Sequence, residues 1–304
     1  MVREIGVAAT FDADHDVYYG RTCGDGFAVV SDTGLVTVLD SRLRLVRRVD
    51  LGAPAPDLSV AGDRWAWVVG ERLWVGDPAT GGVSAPLRGE SACRWQPSGQ
   101  ALWSARGTGD EVLVELRTPD NRVTGAVTVP DAFGDSMVRL RRHPHEGAII
   151  LWLTAGQDGQ QSWLIRDDGT VDHLPADDCL PAQFCATTDW FLAAGDDHLT
   201  RLSWPAGAEL GTLKWSEIDP QAAADGSDVP GGCLMWLPDG FVSWSTENGR
   251  LRTIDPTTMT VADEIQLAGH TGFSFAVPHD SGDVMSVHGP RTLVLSTLRD
   301  WPPV

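Results

Sequence analysis

Two stretches of this chain, WQPSGQALW (95–103) and WLPDGFVSW (236–244), write one pattern, Trp-x-Pro-(Ser/Asp)-Gly-x-x-x-Trp, at a separation of 141 residues. In each, proline fixes φ near about −65° and glycine accepts a positive φ without strain, so the pair supplies a tight turn. An apolar, tryptophan-rich run enters the turn and another leaves it, which predicts a hairpin in both places. Looser copies of the same turn, apolar run and polar turn are HPHEGAIILW (143–152), VPHDSGDVMSV (277–287), TTDWFLAAGDD (187–197), AGDRWAWVVGE (61–71) and CGDGFAVVSDTG (23–34).

The strands leaving these turns are expected to begin near Phe27, Arg64, Ala101, Ala148, Trp190, Phe241 and Asp283, which are 37, 37, 47, 42, 51 and 42 residues apart. A third strand follows in each unit, as in LVTVLD (35–40) and RLWVGD (72–77), and a fourth in six of them, as in VTGAVTVP (123–130). Repeats of about 40–45 residues with four strands each are the period of a propeller blade. The sequence therefore predicts an all-β fold: a seven-bladed β-propeller of four-stranded antiparallel blades, as a single domain over residues 1–304. The seventh unit lacks a fourth strand of its own, and the N-terminal REIGVAAT (3–10) is expected to supply it and close the ring, covering edges that would otherwise stay unpaired. The one helical candidate, EIDPQAAADGSD (217–228), is interrupted by Pro220 and Gly226 and reads as a long loop.

These units resemble WD40-type β-propeller repeats. WQPSGQ and WLPDGF are similar to that family's hydrophobic-x-Pro-Asp-Gly turn between the first two strands, and LAGHTGF (267–273) carries its Gly-His dipeptide at Gly269 and His270. The chain departs from the pattern in having no third strand that ends in Trp-Asp, and HGPRT (288–292) lacks the Asp of the family's His-Asp hydrogen bond. The resemblance implies a divergent propeller.

With 42 acidic against 23 basic residues the formal net charge is −19, which opposes nonspecific contact with a polyanion, so no nucleic acid is expected as partner. Only Lys214 among the bases is lysine, a bias that fits a GC-rich, bacterial coding sequence. Five cysteines, odd in number and never spaced as CxxC, predict thiols in a reducing compartment instead of a disulfide framework or zinc knuckle. The N-terminus has no continuous apolar h-region and no stretch approaches the ~18 apolar residues of a membrane helix. The expectation is a cytoplasmic protein with no membrane partner.

Candidate chemistry is sparse. Asp12, Asp14 and Asp16 occupy the first three ligand positions of a calcium loop, but Val17 and Cys23 stand where Gly and Glu are required. His143 and His145 flank Pro144 in a turn with no third ligand, so no metal site is expected. There is no G-x-S-x-G, no P-loop and no glycine-rich strand-to-helix turn, and no cofactor is expected. Cys23, Cys93, Cys185 and Cys233 fall on innermost strands, where small apolar packing accounts for them. Most tryptophans, among them Trp65, Trp67 and Trp103, sit on strands and read as packing between units.

Function is therefore sought in the connections, which hold about twenty of the 42 acids. Three are long: PDAFGDSM (130–137), PADDCLPA (175–182) and EIDPQAAADGSDVPGG (217–232). Long connections in a compact domain are commonly functional. Asp12, Asp14, Asp131, Asp135, Asp177, Asp178 and Asp196, with the loop aromatics Tyr18, Tyr19 and Phe133, are the expected partner-binding residues. The expected activity is a non-catalytic interaction scaffold that docks a protein or basic peptide on an acidic loop face. The alternative is an enzyme of hydrolase, lyase or metal-dependent lactonase type with its site at the central channel.

Overall fold

The structure is a computed structural model that describes residues 3–55, 57–61, 64–70, 72–78, 81–86, 90–96, 98–134, 136–142, 147–155, 159–174, 180–184, 189–195, 197–204, 206–224, 234–237, 240–244, 250–267, 275–279 and 283–297. Two compact units are present. One comprises residues 1–31, 37–47 and 181–304, the other residues 32–36 and 48–180.

The described residues form seven sheets. In chain order, β1 (Arg3–Ile5) and β2 (Val7–Asp12) precede the first complete set, β3 (Val17–Cys23), β4 (Gly26–Ser31), β5 (Leu35–Leu39) and β6 (Leu45–Asp50). The second set is β7 (Asp57–Ala61), β8 (Arg64–Val69), β9 (Arg72–Asp77) and β10 (Gly81–Pro86). Next come β11 (Glu90–Trp95), β12 (Leu102–Gly107), β13 (Glu111–Arg117) and β14 (Val123–Pro130), then β15 (Met137–Arg142), β16 (Ala148–Thr154), β17 (Gln160–Arg166) and β18 (Val171–His173). The fifth set is β19 (Leu180–Phe184), β20 (Trp190–Ala194), β21 (His198–Ser203) and β22 (Glu209–Lys214), followed by two short helices, α1 (Trp215–Ile218) and α2 (Pro220–Ala224). The chain continues through β23 (Leu234–Leu237), β24 (Gly240–Trp244), β25 (Arg250–Asp255) and β26 (Thr260–Leu267), and through β27 (Phe275–Pro278), β28 (Asp283–His288) and β29 (Thr292–Thr297).

Each set is one sheet in sequential order, and the pairing of neighbouring strands within a set is antiparallel wherever it is resolved, as in β11 with β12, β12 with β13 and β13 with β14. The second strands start within one residue of the positions expected from the turns, at Gly26, Arg64, Leu102, Ala148, Trp190, Gly240 and Asp283. The second strand of the first set, GFAVVS of β4, is buried at every position and so on both faces. Outer strands alternate: β14 and β6 place every second residue in solvent, the pattern of a strand covered on one side.

The N-terminal segment divides its work, where the sequence predicts a single strand. β2 pairs antiparallel with β29 and completes the last sheet, with Thr10 opposite Val294 and Asp12 opposite Thr292. β1 pairs in parallel with β26, Arg3 opposite Ile265 and Ile5 opposite Leu267, as a fifth strand on a different sheet. Residues 215–224 also depart from expectation, since helices α1 and α2 stand where a loop is predicted. Pro220 is the first residue of α2, where its missing N–H has no intrahelical partner to lose, so it starts a helix here instead of breaking one.

Each unit has its own core. In the first, Phe27, Val29 and Leu39 pack against Met285, Val287 and Leu293, and Trp215 and Ile218 of α1 join Leu192, Leu199 and Ile254. In the second, Trp95, Cys93 and Leu102 pack on Ala66, Val68 and Leu73, and Ile149, Leu151 and Ile165 pack on Val112, Val114 and Val138. Close packing fixes a glycine in each unit: a Cβ at Gly26 would lie 2.1 Å from the carbonyl oxygen of Leu39, and one at Gly34 would lie 2.0 Å from that of Ala53.

Candidate functional site

Of the four expected residues between positions 12 and 19, only Asp14 lies on the connection from β2 to β3; Asp12 ends β2, and Tyr18 and Tyr19, expected in a loop, stand on β3 because their run pairs with β4. The connection is held against the β28–β29 turn by backbone bonds, Ala13 N donating to Arg291 O at 2.9 Å and Val17 N to Pro290 O at 2.7 Å. Side chains add two more ties: Thr292 Oγ1 donates to Asp12 Oδ1 at 2.8 Å, and Arg291 Nε to Asp16 Oδ1 at 2.7 Å. His15 Nδ1 donates to Asp14 Oδ1 at 3.1 Å. The carboxylates of Asp14 and Asp16 remain more than half exposed.

β3 then begins with an aromatic pair. The rings of Tyr18 and Tyr19 meet edge to face with centroids 5.9 Å apart, and the Arg21 guanidinium lies 4.9 Å over Tyr19. Tyr19 is half-buried while Tyr18 is 67% exposed, the most exposed large apolar side chain described. A ring held by its neighbour and open to water is preorganised for contact, because little rotamer entropy is left to lose.

The connection from β14 to β15 uses its acid differently. Asp131 is 4% exposed. Its carboxylate accepts from Ser136 Oγ at 2.7 Å, Ser136 N at 3.0 Å and Phe133 N at 3.1 Å, and its own N–H donates to Asp110 O at 2.8 Å. Burial pushes this carboxyl up, but the bonds from Ser136, Phe133 and Gly134 outweigh it and hold it below the usual carboxylate range. What this segment offers to solvent is apolar: Phe133 and Met137 are both exposed. Asp135, Asp177, Asp178 and Asp196 lie outside the described residues, as do His143, His145, Gly269, His270, Cys179, Cys185 and Cys233.

Sequence reasoning missed a buried ionic network in the second unit. Asp57 on β7 accepts from Cys93 N at 2.9 Å and from Arg94 Nη1 at 2.7 Å, both on β11, and the neighbouring Ser59 Oγ accepts from Trp95 N at 2.9 Å. The first strands of the second and third sets, β7 and β11, are thus laced by side chains reaching to backbone. In the first unit Arg252, also buried, lies 3.1 Å from Asp219 and 3.2 Å from Glu264. The available signal was an arginine inside an apolar strand, as in ACRW, since such a charge needs a partner.

The chemistry of the remaining candidates is inert. Burial pushes the Cys23 thiol up to about 11, and Cys93 is fully buried with Sγ 3.6 Å from Ala66 O, so neither resembles an activated nucleophile. Among the described residues no three His, Cys, Asp or Glu side chains group as metal ligands, and no described helix is long and apolar enough to cross a membrane.

No protein-family model and no curated protein sequence matches the chain. Among solved structures it is similar to the β-propeller domain of Cps50 (Swd1) from Myceliophteria thermophila, with a TM-score of 0.64 and 11% identity over 96% of this chain and 98% of that one. With its described residues nearly all in strands, antiparallel within each set, and matched along almost its whole length by a propeller domain, the chain has the β-propeller fold that its repeats imply.

Proposed function

We propose that this protein is a non-catalytic interaction module that docks a protein or basic peptide on the loop segments following its outer strands. The reading takes the seven sheets as seven blades of one domain, with β2 closing the ring, and places the protein in the cytoplasm. The observation that carries it is the exposed Tyr18 ring near the start of β3, a few residues along the chain from the exposed carboxylates of Asp14 and Asp16, which stand on a connection tied by two backbone bonds to the β28–β29 turn. Carboxylates steer a cationic partner and an anchored aromatic supplies the contact that outlasts encounter. Phe133 is the matching exposed aromatic of the second unit.

The test is an array of twelve-residue peptides, rich in either Lys and Arg or Asp and Glu, probed with the wild-type protein and with a variant carrying Asp14→Ala, Asp16→Ala and Tyr18→Ala. Basic peptides should bind in a salt-sensitive manner and the triple variant should lose them. Equal capture of basic and acidic peptides, or an unchanged triple variant, would reject the reading.

A further inference from the structure

A sheet edge invites another strand unless something defends it. The outer strands of this protein are defended in different ways. β6 carries Arg47, Arg48 and Asp50, β22 carries Glu209 and Lys214, β18 has only three residues, and the edge of β26 is covered by β1. Two described outer strands have none of these defences, the six-residue β10, GGVSAP, and the longer β14. β14 is eight residues long, VTGAVTVP, with no ionisable side chain and no proline before its last position, and Val123, Thr124, Ala126 and Thr128 are exposed along it.

The same strand borders a groove of roughly 230 Å³, formed by Thr124–Val127 on one side and the turn Arg166–Gly169 on the other, over Leu116 and the buried Trp103. The charge of that wall is negative. Arg166 is the one cation of that lining and adjoins Asp167 and Asp168 while also ion-paired to Asp172, so acids outnumber it. The fold also shows the event in miniature, since β1 is an extended segment added in parallel to an outer strand.

From these features we infer that the outer edge of β14 is a second docking site, which takes an extended segment of a partner protein as a fifth strand and places a Lys or Arg of that segment against Asp167 and Asp168. A segment added to a sheet edge gains main-chain hydrogen bonds for affinity and reads its alternate side chains in pockets beside the edge. A second copy of this chain fits poorly, because it would bring up another molecule of net charge −19. The inference does not rest on the loop segments, and either site stands without the other.

The probe is a blocked eight-residue peptide of alternating Thr and Val with one central Lys, compared with its Glu counterpart and with a version N-methylated at alternate residues. The Lys peptide should slow hydrogen exchange of the amides of Thr124–Thr128, and the Glu and N-methylated peptides should not. Asp167→Asn with Asp168→Asn should weaken the Lys peptide by roughly three- to tenfold, the range of one or two partly exposed ion pairs. Ala126→Lys, which adds a charge to the edge without touching the core, should abolish binding while the thermal midpoint stays near wild type. Protection elsewhere than β14, equal binding of the Lys and Glu peptides, or binding lost on Asp14→Ala, Asp16→Ala and Tyr18→Ala but kept in Ala126→Lys would overturn the inference. Concentration-dependent dimers in sedimentation, with β14 protected before any peptide is added, would overturn the assigned occupant and give the edge to a second copy.

Discussion

Residues 12–16 and 131–136 look like two versions of one element: each follows an outer strand, each opens on Asp, and each leads into the innermost strand of the next sheet. Their physics is opposite. Asp131 is buried and its carboxylate accepts from Phe133 and Ser136 of its own loop. The acids at 14 and 16 are exposed, and the shape of their loop comes instead from backbone bonds to residues 290 and 291. Acidity in a loop is therefore no guide to function by itself; what matters is whether the main chain or the carboxylate holds the loop. Where the main chain does so, the carboxylate stays at the surface, as Asp14 and Asp16 do with His15 and Arg291 beside them.

The contrast can be broken experimentally, and the largest effect is expected where a carboxylate is most enclosed. Asp57→Ala leaves Arg94 and the Cys93 N–H without their acceptor, and should cost about 3–5 kcal/mol in a urea titration, as for removal of one member of a buried pair. Asp131→Ala strips three hydrogen bonds from a buried loop and should cost about 2–3 kcal/mol in the same measurement. If either substitution is as silent as a surface change, the structural role assigned to these acids is wrong.

The third expectation is a pH dependence. The folded Asp131 carboxyl sits below its unfolded value of about 3.9, so its stabilisation is complete above that value and is lost as pH falls through the folded one. The stability gap between wild type and Asp131→Asn should hence narrow as pH falls below about 5, and a gap that widens on acidification would contradict the sign. Smaller still, Arg291→Ala removes an exposed ion pair to Asp16 and should change stability by about 0–1 kcal/mol, because the backbone ties survive it. Last, Tyr18→Ala should shift stability by less than about 0.5 kcal/mol, yet should cost peptide binding about tenfold. A Tyr18 variant that unfolds the protein would move this ring from contact surface to core.

The strands were legible because each turn is spelled by Gly, Pro or Asp and each run between turns is apolar or β-branched, a local signal that needs no knowledge of the rest of the chain. Even so, the doubled motif conceals a difference. Trp95 stands opposite Leu102, with Gly99 at φ +64° in the link, whereas Trp236 stands opposite Phe241 and Leu237 opposite Gly240, a shorter hairpin from the same spelling. The Asp57–Arg94 pair was not legible, since it joins residues 37 positions apart on neighbouring sheets. Nor could the sequence separate Asp131 from Asp14, because that distinction is made by Ser136 on one side and by Arg291 on the other. Pro220 was misread for a related reason: proline stops a helix that it interrupts and favours one that it begins.

The pairing of β2 with β29 places Val7 opposite Ser296, so one strand waits for a partner synthesised 289 residues later. At ribosomal rates of about 5–20 residues per second the delay is on the order of ten seconds to a minute, long compared with the microseconds in which a hairpin forms. During that interval VAATFD is a nascent β-strand without its partner, in the setting where chaperones act and where chains on one message can exchange strands. Circular permutation that joins β2 directly behind β29 would turn this long-range closure into a hairpin, and the speed of refolding would then report how much of the folding time is spent bringing the two together.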